Sequence, residues 1–553
     1  MGAAPTGKET YEWRRTQAVL RAEALEIDPA AEGKRVAYVR ILRDDVFVDG
    51  ELFPTWLNVF HARTRARIVR RELLLREGDR YENQRAEESM RILRGMGIFA
   101  LVRIVAVRTH DSESVGILVH TRDLWSLRLE SSFNISTQIN ALNFGLVERN
   151  LGGIGHRAAV RFSLRPDTFS ASESYGTRRT LGREFALSEQ VGVIFSRASS
   201  RPEGGFSSVV VGRPFYNLAQ RRAYSITGRY ESKIVRRLVN GNTQPWIPEG
   251  HDSAAGLRIW DQRKISAQAS FASRTGHKRR HTFRVFTFFE DRRFAPNAES
   301  DVPLSLIPAF AQQVTPRARR EVGPGVSYDL FVPRYRIYTH LDTYGQSENV
   351  RLGPQASFSV SAPLTILGSS AEARLLRASA GWSWDPGGGL LRVSGGPRAR
   401  WEDGEWVDLR LLALVRAATR MLGPVRIVAR VHVSLRWKDT NNSFVSLGSD
   451  NGLRGFPSQH LRAFGANSLL ANLELRTRPI DWRGVQLGGV LFYDFGSVFE
   501  WSETVELAHG VGVGLRLLLP QFNRVPWTGD AGFVPQPLRV VPSIRSSQVT
   551  QVN

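Results

Sequence analysis

Ile427-Val428-Ala429-Arg430-Val431-His432-Val433-Ser434-Leu435-Arg436-Trp437 alternates apolar and polar side chains without a break. A period of two places successive side chains on opposite faces of a strand. Ile427, Ala429, Val431, Val433, Leu435 and Trp437 therefore share one face, and Arg430, His432, Ser434 and Arg436 share the other. The same texture recurs at 156–166, where Ala158, Val160, Phe162 and Leu164 oppose Arg157, Arg161, Ser163 and Arg165. It recurs again at 511–519, where Val511, Val513, Leu515 and Leu517 oppose Gly512, Gly514 and Arg516. Arginine on one face of strand after strand cannot line a dry sandwich core, because each guanidinium would need a buried partner. It can line water inside a wide barrel whose outer face meets lipid.

From Leu124 onward such runs, separated by Gly, Pro, Asn and Asp clusters, replace helical periodicity. Each run has about the 9–11 residues that a membrane strand needs. At roughly 27 residues per strand and connection, residues 124–553 make about 16 strands, enough for a hydrated lumen. The fold class expected is mainly β: a transmembrane antiparallel β-barrel, with Arg157, Arg161, Arg165, Arg430, Arg436 and Arg516 facing the lumen. Irregular stretches at 168–182, 239–253, 293–303 and 439–464 are expected as outer loops. A large soluble β-protein with salt-laced strands is the alternative architecture.

Upstream, residues 1–35 read as a polar leader or linker, weakly helical over 13–24. Residues 36–122 read as strand, helix, helix, strand, strand, a small unit with one sheet and two helices on one face. Thr64 is placed to cap the first helix, which should run to about Arg76, and Asn83 to cap the second. Arg63, Arg67, Arg70 and Arg71 make that first helix basic.

Lys and Arg total 75 against 53 Asp and Glu, a formal charge of +22, which suits an anionic partner. The arginines are dispersed along strands and not gathered in a patch, which argues against nucleic acid. No cysteine is present, so disulfides and thiolate metal sites are excluded. No apolar run is long enough for a membrane helix. Met1 to Arg15 lacks an apolar signal core, so an export signal is expected upstream or already removed. No nucleophile elbow, HExxH or phosphate-loop motif occurs, so no catalytic residue, cofactor or metal is assigned. His277 and His281 would suit a metal only on a helix.

Two short segments remain. Gly452-Leu453-Arg454-Gly455-Phe456 follows a turn-rich stretch that reads as a loop, and Phe492-Tyr493-Asp494-Phe495-Gly496 sits in an alternating strand. An arginine at a loop tip and an aspartate on a strand suit one buried ion pair, with the loop folded into something hollow.

On these residues the chain resembles the BamA/TamA-type outer-membrane assembly proteins, in which POTRA domains precede a barrel of about sixteen strands. The 452–456 run resembles that family's (V)RGF/Y signature in its long sixth outer loop, with leucine for valine. The 492–496 run resembles its F-x-D-x-G strand motif, and Asn472-Leu473-Glu474-Leu475-Arg476 falls where the family's strand after that loop often carries a glutamate. Residues 143–161 resemble its first hairpin, and 36–122 a single POTRA domain where relatives carry two to several. The C-terminal Ser547 to Asn553 lacks the family's terminal aromatic.

The resemblance implies that Arg454 enters the lumen and pairs with Asp494, with Glu474 nearby, and that Gly452, Gly455, Phe456 and Gly496 shape the lock. It implies insertion or translocation of unfolded client proteins at the bacterial outer membrane, without a nucleotide. The 36–122 unit would lie in the periplasm, and 124–134 with 538–550 would form the barrel seam. Outer-membrane lipid and accessory proteins are further expected partners. Two other functions are weighed beside it: a passive pore for anionic solutes, and a soluble basic β-rich binding protein.

Overall fold

The computed structural model describes residues 11–135, 139–239, 242–344, 346–449, 451–457, 460–502, 504–535 and 538–545. The first ten residues of the expected leader, the far end of the expected seam (546–550) and the C-terminal run 547–553 lie outside them.

The small unit has a three-stranded sheet. Strand β1 (Arg35–Asp44) runs parallel to β3 (Ser114–Asp123), which pairs antiparallel with β2 (Phe99–Arg108). Helices α2 (Ala66–Glu72) and α3 (Asn83–Arg94) cover one face through Val69, Leu73, Leu93, Phe99, Val102, Ile117 and Val119. The other face is covered as well. Residues 11–22, expected as leader, form helix α1 (Tyr11–Ala22), whose Leu20 packs on Val105, Val107 and Leu118. In β2 the even and odd positions serve the two faces, so the sheet is buried on both sides.

Helix α2 ends at Glu72, short of the expected Arg76. Leu73 is extended (φ −77°, ψ 138°), and the Leu74 N–H donates to Ser89 Oγ at 2.9 Å, which turns Leu73 and Leu75 into the core. Thr64 does not cap this helix: its N–H (2.6 Å) and hydroxyl (2.9 Å) both donate to Asp123 Oδ2, and Arg65 occupies the cap position. Glu82, not Asn83, precedes the first turn of α3. Arg63 consequently lies before α2, ion-paired to Asp45 at 3.3 Å. Arg70 bonds Glu77 at 3.3 Å, Arg71 bonds Glu72 at 3.3 Å, and Arg67 is exposed.

The remainder is a closed antiparallel barrel. Its first ten strands are β4 (Leu127–Ile135), β5 (Ile139–Glu148), β6 (His156–Leu164), β7 (Thr168–Thr177), β8 (Ala186–Ser196), β9 (Pro202–Arg213), β10 (Arg222–Arg236), β11 (Ile259–Thr275), β12 (Arg280–Pro296) and β13 (Arg319–Phe331). The next ten are β14 (Glu348–Ser361), β15 (Ala373–Trp384), β16 (Leu390–Glu402), β17 (Glu405–Ala418), β18 (Val425–Trp437), β19 (Asn467–Thr477), β20 (Val485–Phe499), β21 (Ala508–Leu518), β22 (Trp527–Pro535) and β23 (Leu538–Arg545). Two strands are broken by proline, which cannot donate to a ladder. Beyond Val332-Pro333, β13 continues as Arg334–Tyr338 in the same register on β14, and beyond Arg478-Pro479, β19 continues as Ile480–Trp482. Counted this way, twenty strands close the wall among the described residues, where about sixteen are expected from length.

The difference lies in the connections. Glu402 and Glu405 flank Asp403 (φ +52°) and Gly404 (φ +81°), a two-residue turn with both centres left-handed, and most connections at the end carrying the small unit are under ten residues. Residues 168–177 are accordingly strand, and 178–185 turn at the small unit's end. Strand β12 runs to Pro296, inside the expected loop 293–303. Residues 439–464 do loop outward, with a short hairpin of Phe444–Leu447 on Leu461–Phe464. Four extra strands upstream make this the eighth loop at the far end, where the resemblance implied the sixth.

The wall's outer face is apolar and exposed, as at Val160, Phe283, Leu491 and Val513. Trp401, Trp406, Trp437 and Trp501 ring the far end, and Trp382, Trp384 and Trp482 the near end. Two aromatic girdles around an apolar band mark a membrane-spanning barrel. Within the strands, Arg157, Arg161, Arg430, Arg436 and Arg516 share the parity of the inward face. Arg165 falls beyond the end of β6, in the turn to β7, and is exposed. Leu491→Arg, near the middle of β20 on the lipid face, should lower unfolding free energy in bilayers by about 2–4 kcal/mol. Urea titration of the reconstituted barrel, with Glu405→Ala at the rim as the control, measures it.

Candidate functional site: an ion-paired loop inside the barrel

Between β18 and β19 the loop turns back into the lumen. Gly452 (φ +121°) and Gly455 (φ +93°) take backbone conformations that side chains resist. Leu453 and Phe456 are buried with Leu447, Leu470 and Val534. A side chain on Gly532 would collide with the backbone of Gly455, one on Gly510 with the carbonyl of Arg454, and one on Gly496 with Leu469 and Leu447. The wall is bare of side chains where the loop lies against it.

Arg454, only 1% exposed, extends between these glycines. Its Nε donates to Asp494 Oδ2 at 2.7 Å and its Nη2 to Asp494 Oδ1 at 2.8 Å, a bidentate pair. Its Nη1 donates to Glu474 Oε1 at 2.7 Å, its own N–H reaches Asp494 Oδ2 at 3.2 Å, and the guanidinium lies 3.7 Å from the Phe492 ring centroid. Asn472 Nδ2 donates to the Gly452 carbonyl and to Asp494 Oδ1, both at 2.8 Å. Arg454, Asp494 and Glu474 are thus brought together as expected from the motifs, with Phe456, Gly452, Gly455 and Gly496 around them.

The set is larger than the motifs indicate. Glu474 Oε2 accepts from Arg476 Nε at 2.8 Å, and Asp530 Oδ1 accepts from Arg516 Nη1 at 2.6 Å while its Oδ2 lies 3.6 Å from Arg454. Three buried arginines face three buried carboxylates. Asp530, Gly510 and Gly532 escape the sequence reading. Charge balance could have found the first: Arg454, Arg476 and Arg516 exceed Asp494 and Glu474 by one, and Asp530 is the acid of a neighbouring strand.

Arg476 also reaches the other way. Its Nη1 donates to the Leu341 carbonyl at 2.7 Å and stands 3.6 Å from Asp342, in the connection between β13 and β14. That connection is tied by Leu341 N–H to Glu348 Oε1 (2.9 Å) and by the Ser347 hydroxyl to Glu12 Oε2 (2.7 Å). Glu12, on α1, pairs with Arg94 of α3 at 3.2 Å. Contacts around the rim hold the small unit over the near mouth. Glu72 binds Arg179, Glu88 accepts from the Leu218 N–H, and Asn150 Nδ2 donates to Thr64 Oγ1 at 2.8 Å.

A membrane-spanning barrel latched by an inward arginine loop, with a strand–helix–helix–strand–strand unit at one mouth, is the class these features define. Residues 440–525 match the Omp85 superfamily domain, a span that holds the loop, Glu474, Arg476, Asp494 and Arg516. That match is in keeping with the resemblance of the chain to BamA/TamA-type outer-membrane proteins. Among solved structures it is similar to Haemophilus ducreyi BamA lacking POTRA domains 1–3 (11% identity, 94% of this chain and 87% of that one, TM-score 0.35). It is also similar to CdiB of Escherichia coli (11%, 93% and 76%, 0.40) and of Acinetobacter baumannii (10%, 94% and 76%, 0.38). No curated protein sequence matches the chain.

Removing one partner of a buried pair strands the other charge and costs about 3–5 kcal/mol. Arg454→Ala and Asp494→Ala should each destabilise the barrel by roughly that amount, and the double variant by little more than either. Additive losses in a double-mutant unfolding cycle would show that the two act separately. The Glu12 carboxyl is held below its ordinary value of 4.5: burial alone would raise it, but Arg94, Arg524 and the Ser347 hydroxyl outweigh that. A depressed carboxylate stabilises fully above its unfolded value and loses the contribution as pH falls through the lower folded one. The protection of residues 11–22 against hydrogen exchange, taken relative to the intrinsic rate at each pH, should accordingly fall below about pH 4.5. In Glu12→Gln that protection should be low already at neutral pH and respond less to acid.

Proposed function

We propose that the protein inserts or translocates client proteins at the bacterial outer membrane, with the 35–123 unit on the periplasmic side as a POTRA-like domain. The observation that carries this reading is the barrel seam. Strand β22 pairs with β23 from Thr528↔Arg545 to Pro535↔Leu538, and β4 with β5 from Leu127↔Glu148 to Ile135↔Ile139. Between β23 and β4, among the described residues, the ladder holds at Ile544↔Phe133. The two terminal strands of the wall meet at this seam, and a strand edge freed there can accept an extended client segment by main-chain hydrogen bonding. The client strand would meet the small unit, add at the seam and pass sideways into lipid. Folding of the client in the bilayer supplies the driving force, and no residue is assigned to covalent chemistry.

The Arg454 loop would brace β19 to β22, the stretch of wall that adjoins the moving edge at β23, and the basic α2 region would attract acidic peptide or headgroups. Arginine on the inner wall favours a second reading, a passive pore for anions. The loop within the lumen and the unit over its mouth weigh against it; stable open conductance in planar bilayers, without an assembly defect on depletion, would favour the pore.

With no native cysteine, Phe133→Cys with Ile544→Cys can tether the seam selectively. Oxidation should abolish assembly of other outer-membrane proteins and reduction should restore it. A control tether between Leu129→Cys and Leu146→Cys, partners in β4 and β5, should have no effect. Unimpaired assembly with the seam locked would sink the reading.

A further inference from the structure

Residues Thr55–Phe60 form a 3-10 turn between β1 and α2 that displays apolar side chains to the outside. Trp56 is 62% exposed, Val59 83% and Phe60 70%, with the two rings edge to face. The turn is held in this attitude. Asn58 Oδ1 accepts from the Phe47 N–H at 3.0 Å and its Nδ2 donates to the Phe47 carbonyl at 2.8 Å. Phe47 itself is buried against Phe53, Trp125 and Phe522, where the small unit meets the barrel. A firmly held turn that exposes two aromatics and a valine is an interaction surface, not a frayed loop.

Its neighbours say with what. The Leu52 N–H donates to the Arg483 carbonyl at 2.9 Å, so the segment adjoins the near-rim turn after β19. The strand end leading into that turn exposes Ile480 (74%) and Trp482 (58%), part of the near aromatic girdle. The apolar surface of the small unit thus continues the lipid-facing belt of the wall at the depth where tryptophan meets headgroups. Exposed Arg63, Arg65 and Arg67 follow the turn directly, Arg63 sharing Asp45, and Arg483 lies on the rim. Arginine beside a shallow apolar wedge matches phosphate over acyl chain.

We propose that Thr55–Phe60 inserts into the headgroup boundary of the adjoining phospholipid leaflet and fixes the small unit to the membrane beside the turn between β19 and β20. This goes beyond client handling and does not depend on it, since it requires only that the barrel spans a bilayer.

A single cysteine can report it, the chain having none. Full-length Val59→Cys would carry an environment-sensitive fluorophore in vesicles of phosphatidylethanolamine and phosphatidylglycerol with nitroxide-labelled lipid. Ile480→Cys on the rim and Glu113→Cys, in the turn at the sheet's far end, are the references. Lipid nitroxide should quench residue 59 as strongly as 480 and at least about two-fold more than 113, with iodide showing the reverse order. In the background of Trp56→Ser with Phe60→Ser, quenching at 59 should fall towards the level at 113. Quenching at 59 equal to that at 113 in the unsubstituted background, or shielding of 59 only when an unfolded outer-membrane protein is added, would overturn the proposal.

Discussion

Glu474 carries two arginines, one on each carboxylate oxygen: Arg454 from the loop that enters through the far mouth, and Arg476 from its own strand. Ions out of water lose several kcal/mol each in solvation, and only close, well-aligned partners offset that. Here the partners come from four neighbouring strands and one loop, so the ions can be satisfied only when all are in place. The glycines at 510 and 532 belong to the same constraint. Had the wall carried side chains there, the loop backbone would stand off, and Arg454 would not reach Asp494. The ion cluster contributes placement more than stability, since a buried network is a poor source of net folding energy but a strong selector of one geometry.

Arg476 gives this selector a second reach. By donating to the Leu341 carbonyl it joins the far-side loop to the near-side connection 339–347, whose Ser347 holds Glu12 of the small unit. A row of buried polar contacts therefore passes down the lumen from Arg454 to Arg94. Such a row is a physical contiguity; energetic coupling along it requires two discrete arrangements of its members. The connection is a good candidate for the moving part. Glu348 gathers the N–H groups of Leu341, Asp342 and Thr343, so its turn is built on one carboxylate.

Period-two alternation and the two motifs made the barrel and its Arg454–Asp494 pair legible in the chain, because strand faces and a loop arginine leave local marks. What escaped was non-local. The strand number depended on turns as short as Asp403-Gly404, which an average connection length conceals. Residues 11–22 looked like a leader because their apolar positions are few, and only the second face of the sheet, read in Val105 and Val107, explains why they must pack. Thr64 resembled a helix cap, yet Asp123 lies across the sheet end and takes both its donors. Asp530 and the facing glycines carry no motif; they follow from the charge and the space that Arg454 requires.

Twenty strands enclose a wider lumen than sixteen, and width explains the architecture above and below it. A cylinder of that size left open would leak, and its inner arginines would stand in bulk water with little to order them. The chain fills it from both ends, with the loop of 438–466 from the far side and the 339–347 connection and the small unit from the near side. With the axis so occupied, the path of least structural change for a passing polypeptide is not along the lumen. Opening the axis would break the buried charges around Glu474 and Asp494 and uncouple the small unit together, whereas parting β4 from β23 leaves those ion pairs intact. On the proposed function, the same packing that fills the lumen favours passage at the seam.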